Sequence, residues 1–137
     1  MELSERIARA GLGLTGVPFR LHGRTRVGGV DCVGLVLLAL ADAGLSPPVP
    51  PSYFLRGTSP DAVATAMGDA GLERVAEAGV GDIILVRSGP MQLHLMIRAD
   101  GGHVHAHASL GRVVFMPGAS PWPVLSCWRL PPLSFSE

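Results

Sequence analysis

The sequence predicts a single α+β domain over residues 1–137, with helices first and a mostly antiparallel sheet of about five strands second. Apolar residues recur at helical spacing in the first 70 residues, and short apolar runs separated by Gly and Pro turns follow them. Helices followed by strands are typical of the α+β class, whereas α/β folds alternate the two. The length is that of one domain with one core.

Three helices are predicted, and the second forms the centre of the core. The first covers residues 3 to about 12, where apolar side chains recur at helical spacing. The second covers 32–43 and follows Asp31, a residue type that caps helix N-termini; it is apolar nearly all round. Ser59 and the Pro after it predict the start of the third helix, over 61–70.

Short strands are predicted after Gly71, each bounded by turn residues. They cover residues 82–87, 92–98, 103–107, 112–116 and 124–130. The segment 73–78 is too short to assign to the sheet. Residues 17–29 mix Pro, Gly and Arg without a period, which is typical of a loop.

Charge and hydropathy argue against two classes of partner. Eleven Arg balance eleven Asp and Glu and are scattered along the chain, so we expect no nucleic-acid binding. The longest apolar run, residues 33–41, is far shorter than the ~20 residues of a membrane helix. The first residues lack the basic and then apolar pattern of a secretory signal. We therefore expect synthesis in the cytoplasm without a signal peptide, and no membrane association.

Cys32 is the first candidate functional residue. The chain has two Cys, far apart in sequence, which make neither a disulfide framework nor a paired-Cys zinc site. In the first turn of the second helix, unpaired N–H groups and the helix dipole are expected to lower the pKa of the Cys32 thiol and to bind an oxyanion. The alternative is a small apolar core residue, which is our interpretation of Cys127 on the last strand.

A thiolate nucleophile needs a base, and the predicted sheet supplies histidines. His94 lies within the apolar run LHLMI, and His105 follows across an ADGG turn, so antiparallel pairing can bring their rings side by side. One ring can then act as base while the other orients it. His103 and His107 share a strand face with His105, so His107 is an alternative partner, and the four rings can also supply zinc ligands.

Four short motifs, in order, resemble the NlpC superfamily of papain-like cell-wall peptidases. DCVGLV resembles its Asp-Cys-small-Gly-Leu-Val motif, and GDIILV, LHLMI and HVHA resemble the strands that follow it. GVPFRLHGR also resembles the segment before the nucleophile, so the likeness covers residues 16–116. The type most similar is the small one encoded among phage tail and gene-transfer-agent genes.

The resemblance implies a papain-like fold and a cysteine endopeptidase. Cys32 would be the nucleophile, His94 the general base and His105 the polar residue that orients the base. Backbone N–H groups of Asp31 and Cys32 would bind the oxyanion. The implied reaction is hydrolysis of an amide bond in peptidoglycan stem peptides through a thioester acyl-enzyme, with no metal and no cofactor.

Further candidates for substrate contact are Phe19 and His22, from the resemblance, Tyr53, from its place in a Pro-rich loop expected to rim the cleft, and His107, from its strand face. Phe19 stands where the family commonly has a Tyr, and Arg24 stands where it has the second Gly of a pair. These departures support an alternative, a non-catalytic structural or connector protein of a phage-like tail tip. The implied partners are phage-like tail or baseplate proteins, and a particle of that kind would carry the enzyme to the periplasm.

Overall fold

Three helices precede the main sheet in the computed structural model, which describes residues 2–45, 55 and 59–131. They are α1 (Leu3–Gly13), α2 (Cys32–Asp42) and α3 (Pro60–Asp69), each close to its predicted bounds. The predicted N-cap of α2 is confirmed, since the Asp31 carboxylate accepts a hydrogen bond from the N–H of Gly34 at 2.9 Å.

The described strands form a two-stranded ribbon and a six-stranded sheet. The ribbon pairs β1 (Arg24–Thr25) with β2 (Gly29–Val30). The sheet contains β3 (Glu73–Val75), β4 (Ile83–Gly89), β5 (Gln92–Ala99), β6 (Gly102–His107), β7 (Arg112–Pro117) and β8 (Val124–Arg129). Its order is β3-β8-β4-β5-β6-β7, and every pair of neighbours is antiparallel.

The predicted α+β class is confirmed, but the described sheet has six strands rather than about five. The additional strand is β3, which lies in the segment that was too short to assign. Its side chains are mostly exposed, so pairing with β8 defines it rather than an apolar pattern. The ribbon is the second difference, because it lies partly in residues 17–29, where a loop was expected. Its strands are too short to produce a period.

Helix α2 is the centre of the core because it packs against α1, β5, β6 and the ribbon. Leu35, Val36 and Leu40 are fully buried in the main apolar cluster. Burial of each such side chain contributes about 2 kcal/mol. The apolar sequence on all sides of α2 is therefore explained by its position, and its first turn is fixed against the sheet.

The two faces of β5 belong to different parts of the core. Leu93, Leu95 and Ile97 lie in the main cluster with α2, whereas Met96 lies in a smaller cluster on the opposite face. Because side chains alternate along a strand, His94 is on the same face as Met96. The helix and the His94 side chain therefore lie on opposite sides of the sheet plane.

The ladder between β5 and β6 covers only one end of the two strands. Its pairs run from Ile97 with Val104 to Ala99 with Gly102, next to the turn. The β6–β7 ladder, by contrast, continues as far as His107. The far ends of β5 and β6, which carry His94 and His105, are therefore not paired with each other.

Candidate active site

A cavity of about 230 Å³ opens between the start of α2 and the ends of β5 and β6 that are not paired with each other. Its walls include Cys32 from α2, His94 from β5 and His105 from β6. Leu93 and Ala106, which belong to the main core, line it as well. The cavity thus reaches both faces of the sheet, and it brings together the three residues that the sequence singled out for catalysis.

Asp31 fixes the N-terminus of α2, one residue before the candidate nucleophile. Its carboxylate accepts hydrogen bonds from the N–H of Gly34 at 2.9 Å, the N–H of His22 at 2.8 Å and the Arg24 guanidinium at 2.9 Å. A side chain at Gly34 would collide with the carbonyl oxygen of Gly23, so glycine is needed for the close approach of the preceding loop. The residues just before the helix therefore hold its first turn in place.

The Cys32 thiol is buried, and burial raises its pKa to about 12. The backbone N–H of Leu95 opposes this rise, and the charge of Asp31 adds to it. Smaller effects from the N–H of Val33 and the Arg24 guanidinium lower the pKa. The expectation of a low pKa at the helix terminus is therefore wrong, because the loss of hydration outweighs the helix dipole. At neutral pH the thiol carries its proton.

The rings of His94 and His105 are in direct contact, as the predicted hairpin requires. Nε2 of His94 lies 3.2 Å from Nδ1 of His105, and the rings are perpendicular with centroids 5.3 Å apart. His107 is the next ring along β6, 5.3 Å from His105, and its Nδ1 accepts the N–H of Leu110 at 3.1 Å. His105 rather than His107 is thus the hydrogen-bond partner of His94.

Both rings of this pair are neutral at physiological pH. Burial, together with the neighbouring His105 and His107, lowers the pKa of His94 to about 3, although the charge of Asp31 opposes this fall. Burial likewise lowers the pKa of His105 to about 4, with further effects from His107 and His103. A neutral imidazole has a free lone pair, so His94 is in the form that can accept a proton.

The thiol and the pair of rings line one cavity without a hydrogen bond between them. In the described part of the chain, no such bond joins Cys32 to His94. Hydrogen bonds of catalytic groups are often long in ligand-free proteins and shorten when substrate binds. The candidate nucleophile and base therefore share one cavity, but no hydrogen bond among the described residues joins the thiol to the imidazole.

Trp122 also lines the cavity, a role that no sequence motif predicted. Its ring contacts His94 and His105 edge to face, at centroid distances of 5.8 and 5.4 Å. The Ser120 hydroxyl holds the turn by donating to the Trp122 carbonyl at 2.8 Å and accepting its N–H at 3.1 Å. The only indication in the sequence is the Pro on each side of this Trp, which predicts a turn without saying what it covers.

The residues expected to contact substrate are only partly placed at the cavity. Phe19 and His107 line it. Leu21 lines it in place of His22, whose backbone has φ of 64° and donates its N–H to the Asp31 carboxylate instead. Tyr53 lies outside the described residues. The polar part of the wall includes Gln92, which the sequence analysis did not single out.

Two other properties bear on the alternatives. Among the residues that the structure describes, no group of three or more His, Cys, Asp or Glu side chains is arranged to hold a metal ion. The zinc site considered from the histidine spacing therefore has no such cluster to support it there. Within the same ranges, no helix is long and apolar enough to cross a membrane.

The architecture is similar to that of solved NlpC/P60 proteins. NlpC1 from Trichomonas vaginalis aligns with a TM-score of 0.69 and 21% identity, over 93% of this chain and 45% of that one. The P60 domain of an antigen from M. avium subspecies paratuberculosis aligns with a TM-score of 0.65 and 20% identity, over 93% of both chains. The peptidoglycan hydrolase RipB from Mycobacterium tuberculosis aligns with a TM-score of 0.61 and 24% identity, over 93% of this chain and 64% of RipB.

These similarities establish the fold, which is the α+β papain-like fold of NlpC/P60 domains. The chain spans about half the length of the T. vaginalis protein, of which 45% is covered. No protein-family model matches the chain, and no curated protein sequence matches it. The resemblance to the NlpC superfamily is thus confirmed in the fold, and the phage-tail type stays a prediction.

Proposed function

We propose that this chain, which has the NlpC/P60 fold, is a cysteine endopeptidase that hydrolyses an amide bond in peptidoglycan stem peptides. The observation that carries the proposal is the common cavity of Cys32, at a helix N-terminus, and the His94–His105 pair. RipB is a peptidoglycan hydrolase with this fold, which supports the choice of substrate. No metal and no cofactor takes part in the proposed reaction.

The proposed reaction begins with both groups neutral. As the Cys32 sulfur attacks the amide carbon, its proton passes to His94 and the carbonyl oxygen becomes an oxyanion. Backbone N–H groups of Asp31 and Cys32, at the start of α2, bind this oxyanion. The protonated His94 then gives its proton to the leaving amine, which leaves a thioester. Water attacks the thioester with His94 again as base, and the thiol and a carboxylic acid are released.

His105 sets the tautomer of the base. If Nε2–H of His94 donates to Nδ1 of His105 across the 3.2 Å contact, the lone pair of His94 is on Nδ1. That nitrogen is then available for the thiol proton. The thiolate that forms also favours protonated His94, because opposite charges at short range raise the pKa of a histidine. The low pKa of the resting ring therefore does not prevent transfer.

The proposal has a finer part, which concerns where the enzyme acts. We infer association with a phage-like tail or gene transfer agent, and action in the periplasm after synthesis in the cytoplasm. It is supported by the motif resemblance around Cys32 and His94. Substrate contacts from Phe19, Tyr53 and His107 belong to the same part of the proposal. Mass spectrometry of purified tail particles tests whether they contain the chain.

Release of peptides from purified Gram-negative peptidoglycan tests the proposed activity. We expect the wild type and Cys127→Ala to release fragments, and Cys32→Ala to release none, since the nucleophile has been removed. Intact-protein mass spectrometry of the wild type should also show an acyl adduct that hydroxylamine removes, as a thioester requires. Identical chromatograms for the wild type and Cys32→Ala, on peptidoglycan from several hosts, would instead support the connector protein.

A further inference from the structure

Arg24, one of the departures from the family motif, is paired with Asp31, the residue before the proposed nucleophile. It lies on β1, and its guanidinium Nη1 donates to Oδ1 of Asp31 at 2.9 Å and to the carbonyl of Gly23 at 2.8 Å. The Asp31 side chain is 4% exposed and the Arg24 side chain 34% exposed. The ion pair therefore has one buried partner, which lies one residue from Cys32.

The buried carboxylate of Asp31 stabilises the start of α2 but disfavours the thiolate form of Cys32. It caps α2 and accepts the N–H of His22, which fixes the loop before the helix. A negative charge beside a thiol also disfavours the thiolate, and the charge of Asp31 raises the pKa of Cys32. The Arg24 charge acts in the opposite direction on the same thiol.

We propose that Arg24 is a positioning residue of this site, which offsets the charge of Asp31 beside Cys32 so that the carboxylate can cap the helix without suppressing the nucleophile. The inference rests on the proposed function for its meaning, because the charge beside the Cys32 thiol matters for catalysis only if Cys32 is the nucleophile. Arg24 does not touch the reacting atoms. It acts through Asp31 and through the electric field at the sulfur.

The other titratable groups around the thiol lie on the opposite wall of the cavity. They are His94 on β5 and His105 and His107 on β6. The first two are neutral well above their lowered pKa values, so they do not change charge in alkaline solution. A change in thiol reactivity above neutral pH therefore reports on Cys32 and on the charged pair beside it.

The rate of alkylation of Cys32 by iodoacetamide, measured from neutral to alkaline pH, tests the inference. In a Cys127→Ala background only one thiol is present. Below its pKa the rate is proportional to the thiolate fraction, so a shift displaces the whole profile. We expect Arg24→Gln to be alkylated about threefold more slowly at every pH, corresponding to about half a pKa unit. Arg24→Lys should stay near the wild type.

Arg26→Gln is the matched control. Arg26 lies in the turn that follows β1 and forms an exposed ion pair with Asp42 at 2.7 Å. This pair is solvated, and neither of its residues shifts the pKa of the Cys32 thiol. The variant should therefore keep the wild-type profile of alkylation rate against pH. A slowing as large as that of Arg24→Gln would overturn the inference, since loss of any arginine would then suffice.

The double variant Asp31→Asn, Arg24→Gln tests whether Arg24 acts through its charge or only by holding the loop before α2 in place. Asn can still accept the Gly34 N–H as a cap, and the double variant lacks both charges. We expect Asp31→Asn to be alkylated faster than the wild type and the double variant to return near the wild type. A double variant as slow as Arg24→Gln would overturn the inference. Because alkylation needs no peptidoglycan, this outcome is independent of whether the proposed hydrolysis is observed.

Discussion

Cys32 and Cys127 have similar burial and different neighbours. They are 7% and 6% exposed, and burial raises the pKa of both thiols. Cys32 begins a helix and lines a cavity that His94 also lines, whereas Cys127 lies on β8 in the smaller apolar cluster with Ile84 and Met96. Burial therefore does not distinguish a candidate nucleophile from a packing residue, but access and a neighbouring base do.

The charges near the two thiols are similar as well. Each has a buried aspartate that raises the pKa of the thiol, Asp31 beside Cys32 and Asp82 near Cys127. Each aspartate is paired with an arginine, and Arg129 holds Asp82 through two bonds of 2.9 and 2.8 Å. The histidine pair is what the surroundings of Cys32 have in addition. The comparison teaches that the imidazoles, rather than the local charge, carry the proposed chemistry.

Among the histidine variants, removal of the base should therefore have the largest effect. We expect His94→Ala to lower the rate of peptidoglycan hydrolysis about a thousandfold, because it removes the proton acceptor of the proposed reaction. His105→Ala should lose less, since an orienting ring holds the base without taking the proton. The rates are measured from released peptides by liquid chromatography.

His103→Gln is the matched control for the loss of a histidine from this sheet. His103 is buried on β6, the strand that carries His105, and burial lowers its pKa too. It does not line the described cavity, so the rate should stay within a few-fold of the wild type. Equal losses in His103→Gln and His94→Ala would mean that the sheet, rather than the cavity, was damaged.

Alkylation can sharpen the comparison of the thiols themselves. Cys32 should react about tenfold faster than Cys127 in the wild type, because it lines a cavity that admits the reagent while Cys127 is packed among apolar side chains. Since the raised pKa keeps Cys32 protonated, its rate should rise about tenfold per pH unit up to pH 9 without a plateau. Mass spectrometry of the two peptides measures both rates. A plateau near neutral pH would mean that Cys32 is already a thiolate there, with the low pKa expected at a helix terminus, and would contradict the raised pKa.

The sequence could predict the elements that carry the site because each has a local cause. The Asp31 cap and the apolar residues after it define α2, and the turn between His94 and His105 defines a hairpin. The β5–β6 ladder stops at Ile97 and Val104, and no local pattern in the sequence marks that point. The cavity at the unpaired strand ends, which Cys32 and both rings line, could therefore not be predicted from the sequence.

Two further features of the site depend on contacts between distant segments. Trp122 contacts His94 and His105 although it precedes a different strand, and its turn has no period in the sequence. The pKa of the Cys32 thiol is raised rather than lowered. The sequence shows that Cys32 begins a helix, but it does not show how deeply the thiol is buried. Local capping could be predicted, and the dielectric surroundings could not.

The last expected effect concerns the stability of the buried pair rather than reactivity, and His105 is its most suitable probe. This ring is 2% exposed, and burial lowers its pKa to about 4 from 6.5. The unfolded chain therefore binds a proton near pH 6.5, which the folded chain binds only near pH 4. The contribution to stability is present above the unfolded pKa and is lost as the pH falls toward the folded value.

We accordingly expect the free energy of unfolding of the wild type to fall about 2 kcal/mol more than that of His105→Gln between pH 7.5 and pH 5. Urea denaturation at the two pH values measures the difference. Val104→Ala is the matched control, because it removes a buried side chain from the same strand without removing a titratable group. It should be destabilised equally at both pH values. If His105→Gln keeps the acid sensitivity of the wild type, then His105 is protonated in the folded chain at pH 5 or titrates as it does when unfolded. The neutral resting pair would then be lost from the mechanism, and the imidazoles would no longer distinguish the two thiols as proposed.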